Sequence, residues 1–190
     1  RLIAIGGPVT ETVFALGLGE RVVATDTSST YPPATRELPK VGYQRTISAE
    51  GILALRPSRV LAAEETGPPA AVAQLRSAGI PIEIIPSENS VDGARRKITL
   101  IAKLLAVPER GAQLIAQLDA EVQQAAAQSV ERAPRVLFLY ARGAGTMQVA
   151  GGGTSADAMI ELAGGKLVAV LNPGVAYGYL KFVKASIEAE

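Results

Sequence analysis

The stretch that decides the fold is VGYQRTISAEGILALRP, residues 41–57. Gly42 opens a loop, and Tyr43 and Arg45 follow it two residues apart. Loops that are held between packed elements carry a large share of binding groups. The pattern therefore predicts that one loop presents a phenol and a guanidinium together.

The second part of this stretch predicts the elements that hold the loop. Ser48 is a favoured helix-capping residue, so a short helix is expected to begin there. The helix ends near Pro57, because proline is poorly tolerated inside a helix. The run Arg59–Ala62 then predicts a strand.

A strand–helix–strand unit precedes the stretch. Leu2–Ile5 is an apolar run of the buried-strand type, Thr10–Leu16 has apolar residues at helical spacing, and Val22–Ala24 predicts the next strand. The crossover in such a unit is right-handed. The Gly6-Gly7 turn lacks the full glycine pattern of dinucleotide-binding proteins, so its glycines are interpreted mainly as turn residues.

The alternation of strand and helix continues beyond residue 57. Asp26–Pro33 is a turn-rich loop, Pro68–Ala78 predicts a helix, and Pro81–Ile85 predicts a strand. Alternating elements of this kind favour a parallel sheet with covering helices.

From about Ser90 to Gln128 the pattern changes to helix, over a length of roughly 40 residues, far beyond the usual three or four turns. Pro108 kinks or divides this stretch. We expect it to form a strut between two lobes.

The chain after Pro134 repeats the first unit. Three segments again follow the order strand, helix, strand, with a glycine-rich, hairpin-like stretch after the first: Val136–Leu139, Thr154–Gly165 and Lys166–Val170. Gly178-Tyr179, followed by Ser186-Ile187-Glu188, then parallels Gly42-Tyr43 and Ser48-Ala49-Glu50.

The predicted fold class is α/β, with two Rossmann-like lobes that have parallel sheets and are joined by one long backbone helix. The boundaries are residues 1–88 for the first lobe, 89–131 for the helix and 132–190 for the second lobe. The second lobe is expected to be incomplete, because the chain stops where the second copy should continue.

Composition removes many kinds of site. The 190 residues include no Cys and no His, which excludes disulfides, thiolate metal sites and imidazole catalysis. A metal ligand must therefore be an oxygen or the sulfur of Met147 or Met159. The net charge of +1, without a basic block, gives no reason to expect nucleic-acid binding. The chain begins at Arg1 without a signal peptide, so we expect a mature or trimmed product.

Several motifs together resemble one family. They are Gly-Gly-x-x-Thr-Glu at 6–11, Asp26–Pro32, Val41-Gly42-Tyr43, Ser48-Ala49-Glu50 and Leu55-Arg56-Pro57, followed by the long helix. This order resembles the periplasmic haem-binding proteins of bacterial ABC haem importers, over essentially the whole chain. The resemblance implies a periplasmic protein, not an enzyme, that captures haem in the cleft between two lobes and delivers it to importer permease subunits in the inner membrane.

The resemblance also implies roles for individual residues. Tyr43 stands where the family places the tyrosine that ligates ferric haem iron, and Arg45 where a basic residue supports the phenolate or a propionate. Glu50 matches the glutamate that docks onto the permease, and Glu188 is its second-lobe counterpart by the repeat. Some relatives add a second-lobe histidine ligand, which this chain lacks.

The chemistry of these groups is consistent with such a site. A free phenol has a pKa of about 10, so its anion needs iron and a nearby cation for stability. Tyrosine has precedent as a haem ligand and suits Fe(III). Simpler interpretations exist: Tyr43 as a packed residue with a satisfied hydroxyl, and Glu50 as a favourable charge at a helix N-terminus.

Two sites in the second half have open interpretations. Arg142 either meets a propionate or is a solvated loop arginine. Tyr177 and Tyr179 either line the cleft or cover the second sheet.

Two alternative functions stay open. One is the same class of binding protein with a corrinoid or ferric siderophore as cargo. The other is an α/β enzyme that uses the Gly6-Gly7 or Gly151-Gly152-Gly153 loop, although neither loop has the Lys-Ser/Thr of a P-loop.

Overall fold

The computed structural model describes residues 1–127, 132–141 and 147–168. The strands in chain order are β1 (Leu2–Ile5), β2 (Val22–Thr25), β3 (Gly42–Tyr43), β4 (Thr46–Ile47), β5 (Arg59–Ala63), β6 (Ile82–Ile85), β7 (Arg135–Val136), β8 (Leu139–Ala141), β9 (Met147–Val149) and β10 (Lys166–Leu167). The helices are α1 (Gly7–Ala15), α2 (Ala49–Ala54), α3 (Pro69–Ser77), α4 (Val91–Leu104), α5 (Pro108–Ala126) and α6 (Ser155–Leu162). Short 3₁₀ turns lie at Gly19–Arg21 and Pro33–Glu37.

The chain divides into two compact units. The first unit comprises Arg1–Glu88 and Asp92–Ala116, and the second comprises Asn89–Val91 and the described residues from Gln117 onward. Within the described ranges, no helix is long and apolar enough to cross a membrane.

The first unit contains a four-stranded parallel sheet with the order β2-β1-β5-β6. All four residues of β1 are buried, which is typical of a parallel strand covered on both faces. Ile3, Ile52 and Leu75 are fully buried in its core cluster, so helices α2 and α3 pack with the sheet. The predicted α/β class with a parallel sheet is confirmed.

Helix α1 begins earlier than the sequence predicted, at Gly7 rather than Thr10. Proline is well tolerated in the first turn of a helix, where its missing N–H has no intrahelical partner to lose. Pro8 therefore belongs to the helix, and Gly6 takes the N-cap position with φ +92°.

The long helical stretch predicted from Ser90 to Gln128 is divided into α4 and α5. The break lies immediately before Pro108, where Ala106 adopts a positive φ of 59°. Proline disfavours a helical conformation in the residue before it and opens the next helix instead. Of the two outcomes expected at Pro108, kinking or division, the structure has division.

The second unit repeats part of the first. Strands β7 and β10 are parallel, as β1 and β2 are, and Thr154 caps α6 by accepting a hydrogen bond from the Asp157 N–H. The predicted strand Val136–Leu139 is split between β7 and β8. Strands β8 and β9 form an antiparallel hairpin in the glycine-rich stretch.

Candidate functional site

Tyr43 lies on a small hairpin, at the place where the sequence predicted a loop that begins at Gly42. Strands β3 and β4 pair antiparallel, with Tyr43 opposite Thr46, and Gln44 and Arg45 form the turn. Gly42 enters the hairpin with φ +104°, and a Cβ there would lie 2.7 Å from the Thr46 carbonyl oxygen. The glycine is therefore needed for the chain to enter this turn.

Backbone hydrogen bonds fix the hairpin to the loops that follow β2 and β5. The Thr27 N–H donates to the Gly42 carbonyl at 2.8 Å. The Ile47 N–H donates to the Gly67 carbonyl at 2.8 Å, and the Gly67 N–H donates to the Gln44 carbonyl at 3.0 Å. The hairpin is thus held at its entry, its turn and its exit.

The two side chains that the sequence singled out are both on the surface. Tyr43 is 45% exposed and Arg45 is also exposed. Within residues 1–127, 132–141 and 147–168, the Tyr43 hydroxyl and the Arg45 guanidinium have no hydrogen-bond partner. The exposed phenol offers an oxygen ligand to an oxidised metal ion, and the exposed guanidinium, two residues along the turn, offers a charge to an anionic group.

A buried carboxylate lies beneath the hairpin. The Asp26 carboxylate accepts hydrogen bonds from the N–H of Gly6 and of Ser28, both at 2.8 Å, and from the hydroxyls of Ser29, at 2.5 Å, and of Ser28. Burial by itself raises the pKa of the Asp26 carboxyl, but these hydrogen bonds outweigh it and hold the pKa below its usual value. We call Asp26, Ser28, Ser29 and Gly6 the Asp26 centre.

Sequence reasoning missed the Asp26 centre and treated Asp26–Pro33 only as a turn-rich loop. A local signal was present, because an aspartate followed by serine two and three residues later is a pattern that favours side-chain-to-backbone turns. The contact with Gly6 had no local signal, since 20 residues separate the two positions.

Lys40 fastens the loop after β2. Its ammonium group donates to the Thr25 hydroxyl at 2.7 Å, to the Thr35 carbonyl at 2.9 Å and to the Ser29 carbonyl at 3.2 Å. Partial burial lowers the pKa of Lys40, and the nearby Asp26 carboxylate partly opposes this. The loop that contacts Gly42 is therefore held by side chains as well as by backbone.

The Gly6-Gly7 turn is not arranged as a phosphate cradle. The Gly6 N–H donates to Asp26, and the Gly6 carbonyl accepts from Val9 and Thr10. Phosphate-binding turns instead leave their N–H groups directed at the ligand. This geometry counts against an α/β enzyme that uses the Gly6-Gly7 loop to bind phosphate.

Glu50 lies in the first turn of α2 and is exposed. Ser48 caps this helix as predicted, because its hydroxyl accepts a hydrogen bond from the Gly51 N–H at 3.0 Å. A glutamate in the first turn is favourable to the helix dipole. The structure therefore presents Glu50 on the surface of the first unit, a few residues beyond the hairpin.

The remaining predicted site residues, Arg142, Tyr179 and Glu188, lie outside the described residues, as does Tyr177. Among the described residues, no cluster of three or more Asp or Glu side chains is placed to hold a metal ion. Tyr43 offers an exposed phenolic oxygen, which is a hard ligand atom.

A family model and two solved structures that are similar to this chain point to the same family. A family model described as periplasmic binding protein matches residues 2–175. Among solved structures, the periplasmic heme-binding protein of Roseiflexus sp. RS-1 in its apo form is 44% identical, with a TM-score of 0.89. The periplasmic heme-binding protein BhuT in complex with two hemes is 42% identical, with a TM-score of 0.90. Each comparison covers 98% of this chain and 73% of the other.

A curated relative carries a different ligand in its name. The vitamin B12-binding protein of Vibrio cholerae serotype O1 is 34% identical over 111 residues, which is 58% of this chain and 40% of that protein. The chain thus spans well under two thirds of this relative.

Proposed function

Because the chain belongs to the periplasmic binding protein family, we propose that it captures haem through the phenol of Tyr43 and delivers it to the permease of an ABC importer. It acts as an extracytoplasmic carrier in this proposal, without catalysis of its own. The family supplies the role of a binding protein, and the chemistry of the site supports the choice of cargo.

The proposal rests mainly on one observation, which is that Tyr43 is exposed on a hairpin whose backbone is held in place. Its ring is nearly half exposed, its hydroxyl has no partner among the described residues, and backbone hydrogen bonds fix the hairpin that bears it. A ligand held in place before binding loses less freedom on binding. Phenolate oxygen is an established axial ligand of ferric haem.

Arg45 supports the same proposal through its charge. It lies two residues beyond Tyr43 in the turn, and it is exposed. A guanidinium stabilises an adjacent phenolate or pairs with a carboxylate such as a haem propionate. Reduction to Fe(II) weakens the bond to a hard oxygen ligand, which favours release.

A corrinoid is the second candidate cargo, because a curated relative of this chain is named as a vitamin B12-binding protein. The haem proposal has the broader support, with 44% identity over 98% of the chain against 34% over 58%. The chemistry also favours haem, since an exposed phenol offers a ligand atom for ferric iron.

The decisive experiment is a pair of titrations on the purified chain. Haemin added in steps is expected to give a Soret band that saturates at a defined ratio, and cyanocobalamin is expected to give no heat in calorimetry. Saturable cyanocobalamin binding without a haem band would replace haem by the corrinoid as cargo. A haem band that grows without saturation, as with nonspecific adsorption, would also count against the proposal.

Glu50 is proposed as a docking residue for the permease. Its exposure near the site-bearing hairpin and its carboxylate suit a basic surface on a membrane partner. Glu50→Gln should leave haem binding intact and reduce haem uptake by proteoliposomes that contain the importer. Unchanged uptake would remove Glu50 from the interface.

A further inference from the structure

We propose that Gln44 positions the Tyr43 hydroxyl, by seating its side-chain amide in the space above Gly6 at the carboxyl ends of β1 and β5. Gln44 makes no contact with the cargo in this account and acts through the hairpin. The inference rests on the proposed function and assigns a positioning role to a residue that the sequence motifs left without one.

The residues of the turn have opposite environments. Gln44 is half-buried, whereas its neighbours Tyr43 and Arg45 are exposed. The Gln44 side-chain carbonyl lies 3.4 Å from the Ser28 hydroxyl, which in turn donates to Asp26. The turn is thus connected through Gln44 to the Asp26 centre.

Gly6 makes the room for this amide. A Cβ at position 6 would lie 3.3 Å from the Gln44 side-chain carbonyl oxygen and 2.6 Å from the Ala63 Cβ. Gly6 directly follows β1, and Ala63 is the last residue of the neighbouring strand β5. The Gln44 amide therefore sits at the carboxyl ends of two adjacent parallel strands.

The space above Gly6 lies at the point where the order of strands in the sheet reverses. The chain passes from β1 to β2 on one side and later adds β5 and β6 on the other. The carboxyl edge at such a reversal of strand order is where open α/β sheets commonly bind ligands. In this protein the Gln44 amide lies at this carboxyl edge, between the ends of β1 and β5. The edge therefore holds the β3–β4 hairpin.

The backbone alone does not fix the direction of the Tyr43 ring. The backbone hydrogen bonds with Thr27 and Gly67 hold the main chain of the hairpin, but none of them involves a side chain of the turn. The Gln44 side chain gives a further point of attachment toward the sheet. Loss of this point should let the phenol move relative to bound iron, and small displacements of this kind weaken a metal bond.

The test compares Gln44→Ala, which empties the space, with Gln44→Met, which fills it without an amide. The 3.4 Å contact with Ser28 is long for a hydrogen bond, so occupancy of the space should matter more than the amide. We expect Gln44→Ala to release haem to apomyoglobin about tenfold faster than the wild type, in line with outer-shell substitutions at metal sites. Its ferric phenolate absorption band should also shift or broaden, and Gln44→Met should restore most of both properties.

Circular dichroism and thermal unfolding of the apoproteins accompany these measurements, with Tyr43→Phe as the reference for complete loss of the ligand. If Gln44→Ala fails to fold, Ser28→Ala serves as the second variant and should give a smaller shift of the same band. A Gln44→Ala protein with wild-type spectrum and release rate would overturn the inference while leaving the haem proposal intact. Absence of a saturable Soret band in the wild type would instead overturn the proposed function, and the inference with it.

Discussion

Two hairpins each carry an exposed tyrosine, and their surroundings differ. Tyr43 on the β3–β4 hairpin is 45% exposed, and Tyr140 on the β8–β9 hairpin is 51% exposed. The first hairpin is seated on the polar Asp26 centre and is tied to two loops. Tyr140 instead lines an apolar groove together with Phe138 and Val149. Similar exposure therefore does not imply an equal role, because the two hairpins have different surroundings.

The strongest test of the difference between the two hairpins is to remove the hydroxyl of Tyr43 and that of Tyr140 in separate variants. Tyr43→Phe should weaken haem binding by at least about 100-fold, or roughly 2.7 kcal/mol, because it deletes the proposed iron ligand. Tyr140→Phe is the matched control and should change the affinity by less than about twofold, since surface changes away from a site cost little. Absorbance titration with haemin measures both, and equal losses in the two variants would show that the hairpins are not distinct.

Glycine substitutions test whether the first hairpin is specially constrained. Gly42→Ala should lower the free energy of unfolding by about 2 kcal/mol, because an alanine is strained at φ +104° and its Cβ meets the Thr46 carbonyl. Gly153→Ala, just beyond the second hairpin, has φ +75° and open space around it, so about 1 kcal/mol is expected. Urea denaturation gives both values. A smaller loss at Gly42 than at Gly153 would contradict the crowded geometry of the first hairpin.

The low pKa of Asp26 lets us predict how the free energy of unfolding depends on pH. Because hydrogen bonds hold the folded-state pKa of Asp26 below its unfolded value, its stabilisation is fully present above the unfolded pKa of about 3.9. That stabilisation is lost as the pH falls through the lower, folded pKa. Asp26→Asn should cost roughly 1.5 kcal/mol at pH 7, since the amide cannot accept from all of the same donors. The difference from the wild type should shrink below about pH 4.

Urea denaturation at pH 7, 5, 4 and 3 measures this dependence. Asp157→Asn is the matched control in the second unit, where the carboxylate accepts one hydrogen bond from Gly153 and is partly exposed. It should cost less than Asp26→Asn at pH 7. A difference between Asp26→Asn and the wild type that is constant over the whole range would mean that the carboxylate charge does not contribute.

The sequence was sufficient for the elements that local patterns determine. Apolar runs placed β1, β5 and β6, and the Ser48 cap placed α2. The hairpin around Tyr43 was out of reach, because its strands are two residues long and depend on hydrogen bonds to Thr27 and Gly67. No periodic pattern exists at that length.

The same distinction applies to the candidate site. A phenol and a cation on one surface segment could be predicted from residues 41–57, and the structure places both at the surface. The Asp26 centre and the contact of Gln44 with the space above Gly6 join positions far apart in the chain. Such contacts follow from the folded sheet, and no local pattern of residues signals them.

The smallest expected effect concerns the charge on the first hairpin. Arg45 is exposed, and exposed ion pairs contribute no more than about 1 kcal/mol, so Arg45→Gln should weaken haem binding by about fivefold or less. Because salt screens exposed charges, the difference from the wild type should decline as NaCl is raised from about 0.02 M to about 0.5 M. Arg45→Lys keeps the charge and should retain most of the affinity at low salt. If Arg45→Lys binds as weakly as Arg45→Gln, and salt has no influence, the guanidinium acts through directed hydrogen bonds and not through its charge.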